Sequence, residues 1–247
     1  RAGGALVSCR APDPARAAAQ AHYARGMEAL ARLDGDGVFE AMRDSWEADP
    51  TYLPPLVEGL LHFQSGATLA PDRWEVVSTL ARQGQGDIRL CAAVVLASGS
   101  ATPAPAFPDR RPGEAPTPCA RLASVWAATA AGDPEQRAED ARVLYETFPE
   151  SPALLDWHLR SLGMTRGWRA VLDARVSAQV PDSPFLHAVA QDYRAAALHA
   201  LGRHGEAARL EVEAEAAARG AGPGALYRQP ACLHVHPEVY ARPEGVP

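Results

Sequence analysis

Apolar and small residues recur every three or four positions along most of this 247-residue chain. That spacing is typical of one face of an α-helix. It appears first at Tyr23, Met27 and Leu30, in a helix predicted to start near Ala15. The same pattern predicts further helices that begin near residues 38, 53, 71, 88, 118, 134, 154, 168, 185 and 206. We expect a turn over residues 34–37, a helix ending near Ala48, and a helix over residues 168–180.

A short phrase that occurs twice shows how these helices are organised. Pro149-Glu150-Ser151-Pro152 and Pro181-Asp182-Ser183-Pro184 are 181 − 149 = 32 residues apart. In each copy the first proline ends a helix, the serine can cap the next one, and the second proline fits its first position. Pro50 precedes Pro149 by 99 residues, which is three periods of 33. A stop-and-start signal at this interval predicts stacked helical hairpins.

The predicted architecture is a single all-α domain. Residues 15–222 are expected to form a right-handed α-solenoid of about six antiparallel helical hairpins. Residues 1–14 are predicted to be a flexible arm, and residues 223–247 an extended tail. Residues 99–118 hold six prolines and are predicted to form a long loop, because proline is excluded from helix interiors.

The stretch from Leu198 to Ala208 resembles a tetratricopeptide repeat, a helical hairpin in which small residues let two helices approach closely. Ala195, Gly202, Ala207 and Ala214 fit the small positions, and Leu198 fits the bulky one. Residues 37–50 are similar to the second helix of another such unit. Glu211 stands where an aromatic residue is usual, and the helix near Val38 is about one turn short. The resemblance covers roughly residues 15–222 and implies a binding scaffold with a protein partner.

Charge and terminal sequence bear on location and partners. The net charge of −6 gives no electrostatic support for nucleic-acid binding and favours a basic partner. No run of 18 apolar residues is present, so no complete membrane span is predicted. Leu6-Val7-Ser8-Cys9 resembles a bacterial lipobox, and lipidation of Cys9 would attach the N-terminus to a membrane. The alternative is a flexible arm that carries an ordinary cysteine.

Cys91 and Cys119 are a candidate disulfide. Each lies in a predicted first helix of consecutive hairpins, and such helices stack side by side. A bridge would brace the stack across the proline-rich loop and would require an oxidising compartment. Two buried free thiols are the alternative.

Weaker signals concern metals and catalysis. Cys232, His234 and His236 share one face of a predicted strand and are weak metal ligands, because no fourth ligand accompanies them. Asp34, Asp36 and Glu40 resemble only part of a calcium loop. His158, His187 and His199 lack nearby acids at catalytic spacing and are interpreted as surface or core residues. The sequence predicts no catalytic residue, no resident metal and no cofactor.

These observations predict a non-catalytic protein-binding scaffold or accessory subunit of a larger bacterial assembly, at the periplasm or cell envelope. An alternative is the sensory or docking region of a larger signalling protein, because residues 22–63 resemble the helical-repeat tails of bacterial Ser/Thr kinases. That alternative favours the cytoplasm. An enzyme would have to carry its site in the proline-rich loop or in the tail.

Overall fold

A computed structural model of the chain describes residues 13–58, 78–79, 81–82, 86–99, 116–174 and 183–221. These residues form α-helices and turns, and none of them lies in a strand. The predictions for Cys9, for most of the proline-rich loop and for the tail with Cys232, His234 and His236 fall outside the described residues.

Nine helices have defined bounds within these ranges. They are α1 (Pro14–Ala31), α2 (Gly35–Ala48), α3 (Gly86–Gly99), α4 (Pro118–Ala131), α5 (Pro134–Thr147), α6 (Pro152–Arg166), α7 (Trp168–Asp173), α8 (Pro184–Ala200) and α9 (His204–Ala221). Residues 54–58 are also helical and are called here the 54–58 turn. The described part of the chain is therefore all-α, with adjacent helices packed in pairs.

Helix starts follow the local chemistry that the sequence predicts. Ser151 Oγ accepts a hydrogen bond from the Leu154 N–H at 3.3 Å, and Ser183 Oγ accepts one from the Leu186 N–H at 3.4 Å. The side chains of Asp13, Thr117 and Asp133 cap α1, α4 and α5 in the same way. All five helices have proline in the first turn, where the missing N–H leaves no hydrogen bond unmade. The two copies of the repeated phrase therefore act as predicted at their serine and second proline.

Three helix pairs are joined by the same tight turn. One residue in each turn has a left-handed backbone, namely Leu33 (φ 58°), Gly132 (φ 70°) and Gly202 (φ 75°). The next residue donates its N–H to a carbonyl five positions earlier, in the pairs Asp34–Ala29, Asp133–Ala128 and Arg203–Leu198 at 3.0, 2.9 and 2.8 Å. This bond closes a Schellman motif. The hairpins α1–α2, α4–α5 and α8–α9 thus share one connection, and only the first lacks glycine in it.

Replacing Leu33 with glycine should raise the free energy of unfolding by about 1 kcal/mol, because a left-handed backbone strains any residue with a Cβ atom. Leu33 is 57% exposed, so little apolar burial is lost. Urea unfolding of the two proteins measures the difference. The matched control is Gly132→Ala, which should lower stability by a similar amount. Destabilisation by Leu33→Gly would show that the leucine side chain matters more than the strain.

The helix starts predicted near residues 38 and 88 lie three and two residues too late. Residues 34–37 do not form the connection, because α2 begins at Gly35 and Asp34 is its N-cap, accepting from the Gly37 N–H at 3.0 Å. With 14 residues, α2 is longer than the predicted helix. Asp87 lies inside the first turn of α3, not before it, and accepts from Thr117 Oγ1 at 2.7 Å. Acidic residues stabilise a helix N-terminus inside the first turn as well as at the cap, so sequence alone does not separate the two positions.

The predicted helix over residues 168–180 is also wrong in length. It ends at Asp173, and Ala174 has an extended backbone. Trp168 and Val171 are buried in this short helix, and a Cβ atom on Gly163 would lie 3.2 Å from the Trp168 ring. This short helix is therefore held in place by close packing on α6. The periodicity of the sequence does not indicate that contact.

The packing of α1 departs from that of an open stack, in which each hairpin contacts only its neighbours. Along the chain α3 packs on α4, α4 on α5, and α5 on α6, while α8 contacts α6, α7 and α9. Leu30 of α1 shares a buried cluster with Phe185 and Ala188 of α8 and Ala218 of α9. We call this cluster the closing contact. The first described hairpin therefore touches the last one, and the solenoid remains a prediction.

Candidate functional site

Cys91 of α3 and Cys119 of α4 are joined by a disulfide, with Cα atoms 5.2 Å apart. Both residues are almost completely buried, at 0% and 1% exposure. The bond crosses the two helices that flank the proline-rich segment. Such a bond is compatible with an oxidising compartment. Separately, no helix in the described ranges combines the length and apolar character that a bilayer crossing requires.

The other predicted site residues do not converge on one place. His158 of α6 stacks on the Tyr145 ring with centroids 5.7 Å apart, and burial lowers its pKa. His187 is exposed on α8. Asp34 is engaged as a helix cap. Among the residues the structure describes, no group of three or more His, Cys, Asp or Glu side chains is placed to hold a metal ion.

Glu58 links the first hairpin to α6. It is 1% exposed, and its Oε1 accepts hydrogen bonds from Tyr23 Oη at 3.0 Å and from the Ala153 N–H at 3.3 Å. Ala153 lies in the first turn of α6, where the helix dipole favours a negative charge. The carboxylate therefore fixes the start of α6 from a segment 95 residues earlier.

An arginine and two aromatic rings extend this link to the surface. The Arg16 guanidinium lies 5.3 Å from the centre of the Tyr52 ring and 5.5 Å from that of Phe148, and its Nε donates to Asp49 at 2.6 Å. Tyr52 donates to Glu150 at 2.8 Å, and its ring packs edge-on against Phe148. Burial and Glu150 raise the Tyr52 pKa, so its hydroxyl stays protonated. These contacts are structural connections between α1 and the α5–α6 junction.

A second polar group lies between α6 and α8. Tyr193 is completely buried and donates to Asp156 Oδ1 at 2.6 Å. Arg160 donates to both Asp156 oxygens, at 3.3 and 3.1 Å, and to Tyr193 Oη at 3.2 Å. Burial and Asp156 raise the Tyr193 pKa well above its ordinary value. The hydroxyl therefore acts as a hydrogen-bond donor that joins the two helices.

Arg137 of α5 lies beside this group and differs from the other inward-facing arginines. Its Nη2 is 2.8 Å from Met164 Sδ, and Met164 lies one helical turn beyond Arg160 on α6. Its Nε is the one guanidinium nitrogen in the described ranges that is buried without a hydrogen-bond partner. Burial, and then the charge of Arg160, lower the Arg137 pKa. We call Arg137 and Arg160 the arginine pair.

The arginine pair is a candidate site for an anionic group. Buried cations in proteins are normally paired with carboxylates, as Arg121 is with Asp140 at 2.8 Å. Arg160 has Asp156, whereas no carboxylate of the described residues accepts from Arg137. Arg137 is half-buried, so part of its side chain still faces solvent. Sequence reasoning missed this site because 23 residues separate two arginines that only the α5–α6 packing brings together.

Comparisons of the whole chain with protein-family models, with curated proteins and with solved structures find no match in any of the three. The class of protein is therefore defined by the fold of the described residues, which form paired α-helices, several of which share one turn and one type of cap.

Proposed function

We propose that this chain is a protein-binding scaffold or accessory subunit of a larger assembly, built as a tetratricopeptide-like array of helical hairpins. The same Schellman turn in three helix pairs supports a repeated hairpin architecture. The small positions that the resemblance assigned also fit, because Ala195, Ala207 and Ala214 are completely buried between α8 and α9. Helical arrays of this kind commonly serve as extended binding surfaces.

The observation that carries the proposal is the guanidinium of Arg137, whose Nε is buried without a hydrogen-bond partner and which no carboxylate of the described residues pairs. A carboxylate on a partner protein would supply the charge and the hydrogen-bond acceptors that the described residues do not offer it. This local chemistry favours an acidic group on the partner, in contrast to the basic partner that the net charge favours. Arg160, already fixed by Asp156 and Tyr193, adds a second positive charge without having to become ordered on binding.

The same proposal places the chain at the cell envelope. The buried Cys91–Cys119 disulfide supports an oxidising compartment. Lipidation at Cys9 stays a prediction that lies outside the described residues. Intact-mass measurement of the native protein, with and without reduction, tests both features of this location.

Replacing Arg137 with methionine should separate binding from stability. Removing a half-buried charge that no carboxylate of the described residues pairs should leave the free energy of unfolding unchanged or raise it. Partner affinity should fall by about 10–100-fold, the usual value of a hydrogen bond to a charged group. The measurement is quantitative capture from a native envelope extract, followed by titration of the purified partner against both proteins.

Arg142→Met is the matched control, since the Arg142 side chain lies on the same helix, is 40% exposed and is paired with Glu139 and Glu146. We expect the wild-type and Arg142→Met proteins to retain the partner, and the Arg137→Met protein to retain less of it. Equal retention by all three proteins, or retention of no protein by the wild type, would contradict the proposal. A large loss of stability in Arg137→Met would show that Arg137 is structural.

A further inference from the structure

The turn between α8 and α9 carries two histidines and a glutamate that the proposed scaffold function does not use. His199 lies in the last turn of α8, His204 is the first residue of α9, and Glu211 follows on α9. His199 Nε2 is 2.8 Å from Glu211 Oε1. His199 Nδ1 is 3.0 Å from His204 Nδ1, and the ring centroids are 5.3 Å apart.

Glu211 determines which nitrogen of His199 carries the proton. A carboxylate only accepts hydrogen bonds, so the proton of neutral His199 lies on Nε2 and the lone pair lies on Nδ1. That lone pair accepts from the Nδ1–H of His204. The Nδ1 atoms of two imidazoles therefore point at the same place. A carboxylate on the far nitrogen is also the arrangement that orients metal-ligating histidines.

We propose that His199 and His204 bind one divalent transition-metal ion, of the class of Zn²⁺, Cu²⁺ or Ni²⁺, through their Nδ1 atoms. Imidazole nitrogen suits these ions. In a tetrahedral site with metal–nitrogen bonds of about 2.0–2.1 Å, two ligating nitrogens lie about 3.3 Å apart. The two nitrogens therefore need to separate by about 0.3 Å, and the rings to turn so that both lone pairs face the ion instead of each other. His204 moves its proton from Nδ1 to Nε2, so the pair binds the ion without releasing a proton.

The place is open to an ion from solvent. The His199 side chain is 23% exposed and that of Glu211 is 33% exposed, and His204 is exposed. The protein supplies two ligands, and water completes the coordination. This explains why the histidines do not belong to a set of three protein ligands. Because the ligands come from both sides of the turn, a bound ion would fasten α8 to α9.

The test is calorimetric titration of the full chain with Zn²⁺ at neutral pH, after removal of metals with a chelator. The wild-type protein should bind one ion per chain at this place. His199→Ala and His204→Ala should each abolish that binding. His187→Ala is the matched control, because His187 is an exposed histidine on the same helix, and this variant should bind as the wild type does.

Two further measurements separate a metal site from a purely structural contact. Glu211→Gln should keep the stoichiometry but weaken binding about 10–100-fold, as expected for a residue that orients a ligand. Zn²⁺ at 100 times its dissociation constant should raise the melting temperature by about 5–10 °C, and only in proteins that keep both histidines. Unchanged binding in His199→Ala would overturn the proposal. So would binding that is lost only when Cys232, His234 and His236 are replaced together.

Discussion

Replacing Phe185 with alanine is expected to lower the free energy of unfolding by about 3–5 kcal/mol, the usual loss for a large buried aromatic residue. Phe185 is 8% exposed and belongs to the closing contact with Leu30, Ala188 and Ala218. Because Leu30 comes from α1, the substitution should weaken the attachment of the first hairpin as well as the packing of α8. Urea unfolding with the linear extrapolation measures the loss.

A double-mutant cycle tests whether the first and last hairpins really share this contact. Leu30→Ala and Phe185→Ala together should show a coupling energy of about 0.5–3 kcal/mol, as residues in one cluster do. Leu122 of α4 is completely buried and belongs to the other core cluster. The losses of unfolding free energy caused by Leu122→Ala and Phe185→Ala should add to within about 0.5 kcal/mol. Additivity of the Leu30 and Phe185 variants would contradict the closing contact.

Removing the disulfide, with Cys91→Ala and Cys119→Ala together, is expected to lower the free energy of unfolding by about 3.5 kcal/mol. The two cysteines are 28 residues apart, and releasing the bond restores the freedom of that loop in the unfolded chain. Thermal or urea unfolding of the double variant measures the loss. Fully reduced wild-type protein should show nearly the same stability as the variant.

The effect should be largest at α3, because α4 is the described helix on which α3 mainly packs. Hydrogen exchange should therefore rise in α3 more than in α8 and α9, which serve as the internal control. Peptide mapping of unreduced, denatured wild-type protein should find Cys91 and Cys119 unlabelled by a thiol reagent. Labelling of Cys91 without reduction would show that the native protein lacks the bond.

The sequence predicted the features that depend on neighbours along the chain. The caps at Ser151 and Ser183 were predicted directly, because a cap involves a side chain and an N–H only three residues away. The left-handed connection at Gly202 lies where glycine is expected. Leu33 occupies the same position in the first hairpin without a glycine, so the turn had no glycine signal there and the helix after it was predicted to start three residues too late.

The arginine pair and the histidine site were not predicted. Arg137 meets α6 across an interhelical contact, and its lack of a carboxylate is visible only when every neighbour is in place. His199 and His204 are close in sequence, but Glu211 reaches His199 only because α9 folds back along α8. The contact between His199 and the Glu211 carboxylate therefore could not be predicted from the sequence.

What the sequence by itself determined is the helical character of the residues that the structure describes, most of their helix starts and the chemistry of their caps. Those features follow from hydrophobic periodicity and from interactions over three or four residues. The tertiary structure alone decided that α7 stops at Asp173, that Glu58 fixes the start of α6 and that Leu30 meets Phe185. These contacts join residues up to 155 positions apart, and their energy comes from burial and hydrogen bonding that no local pattern encodes.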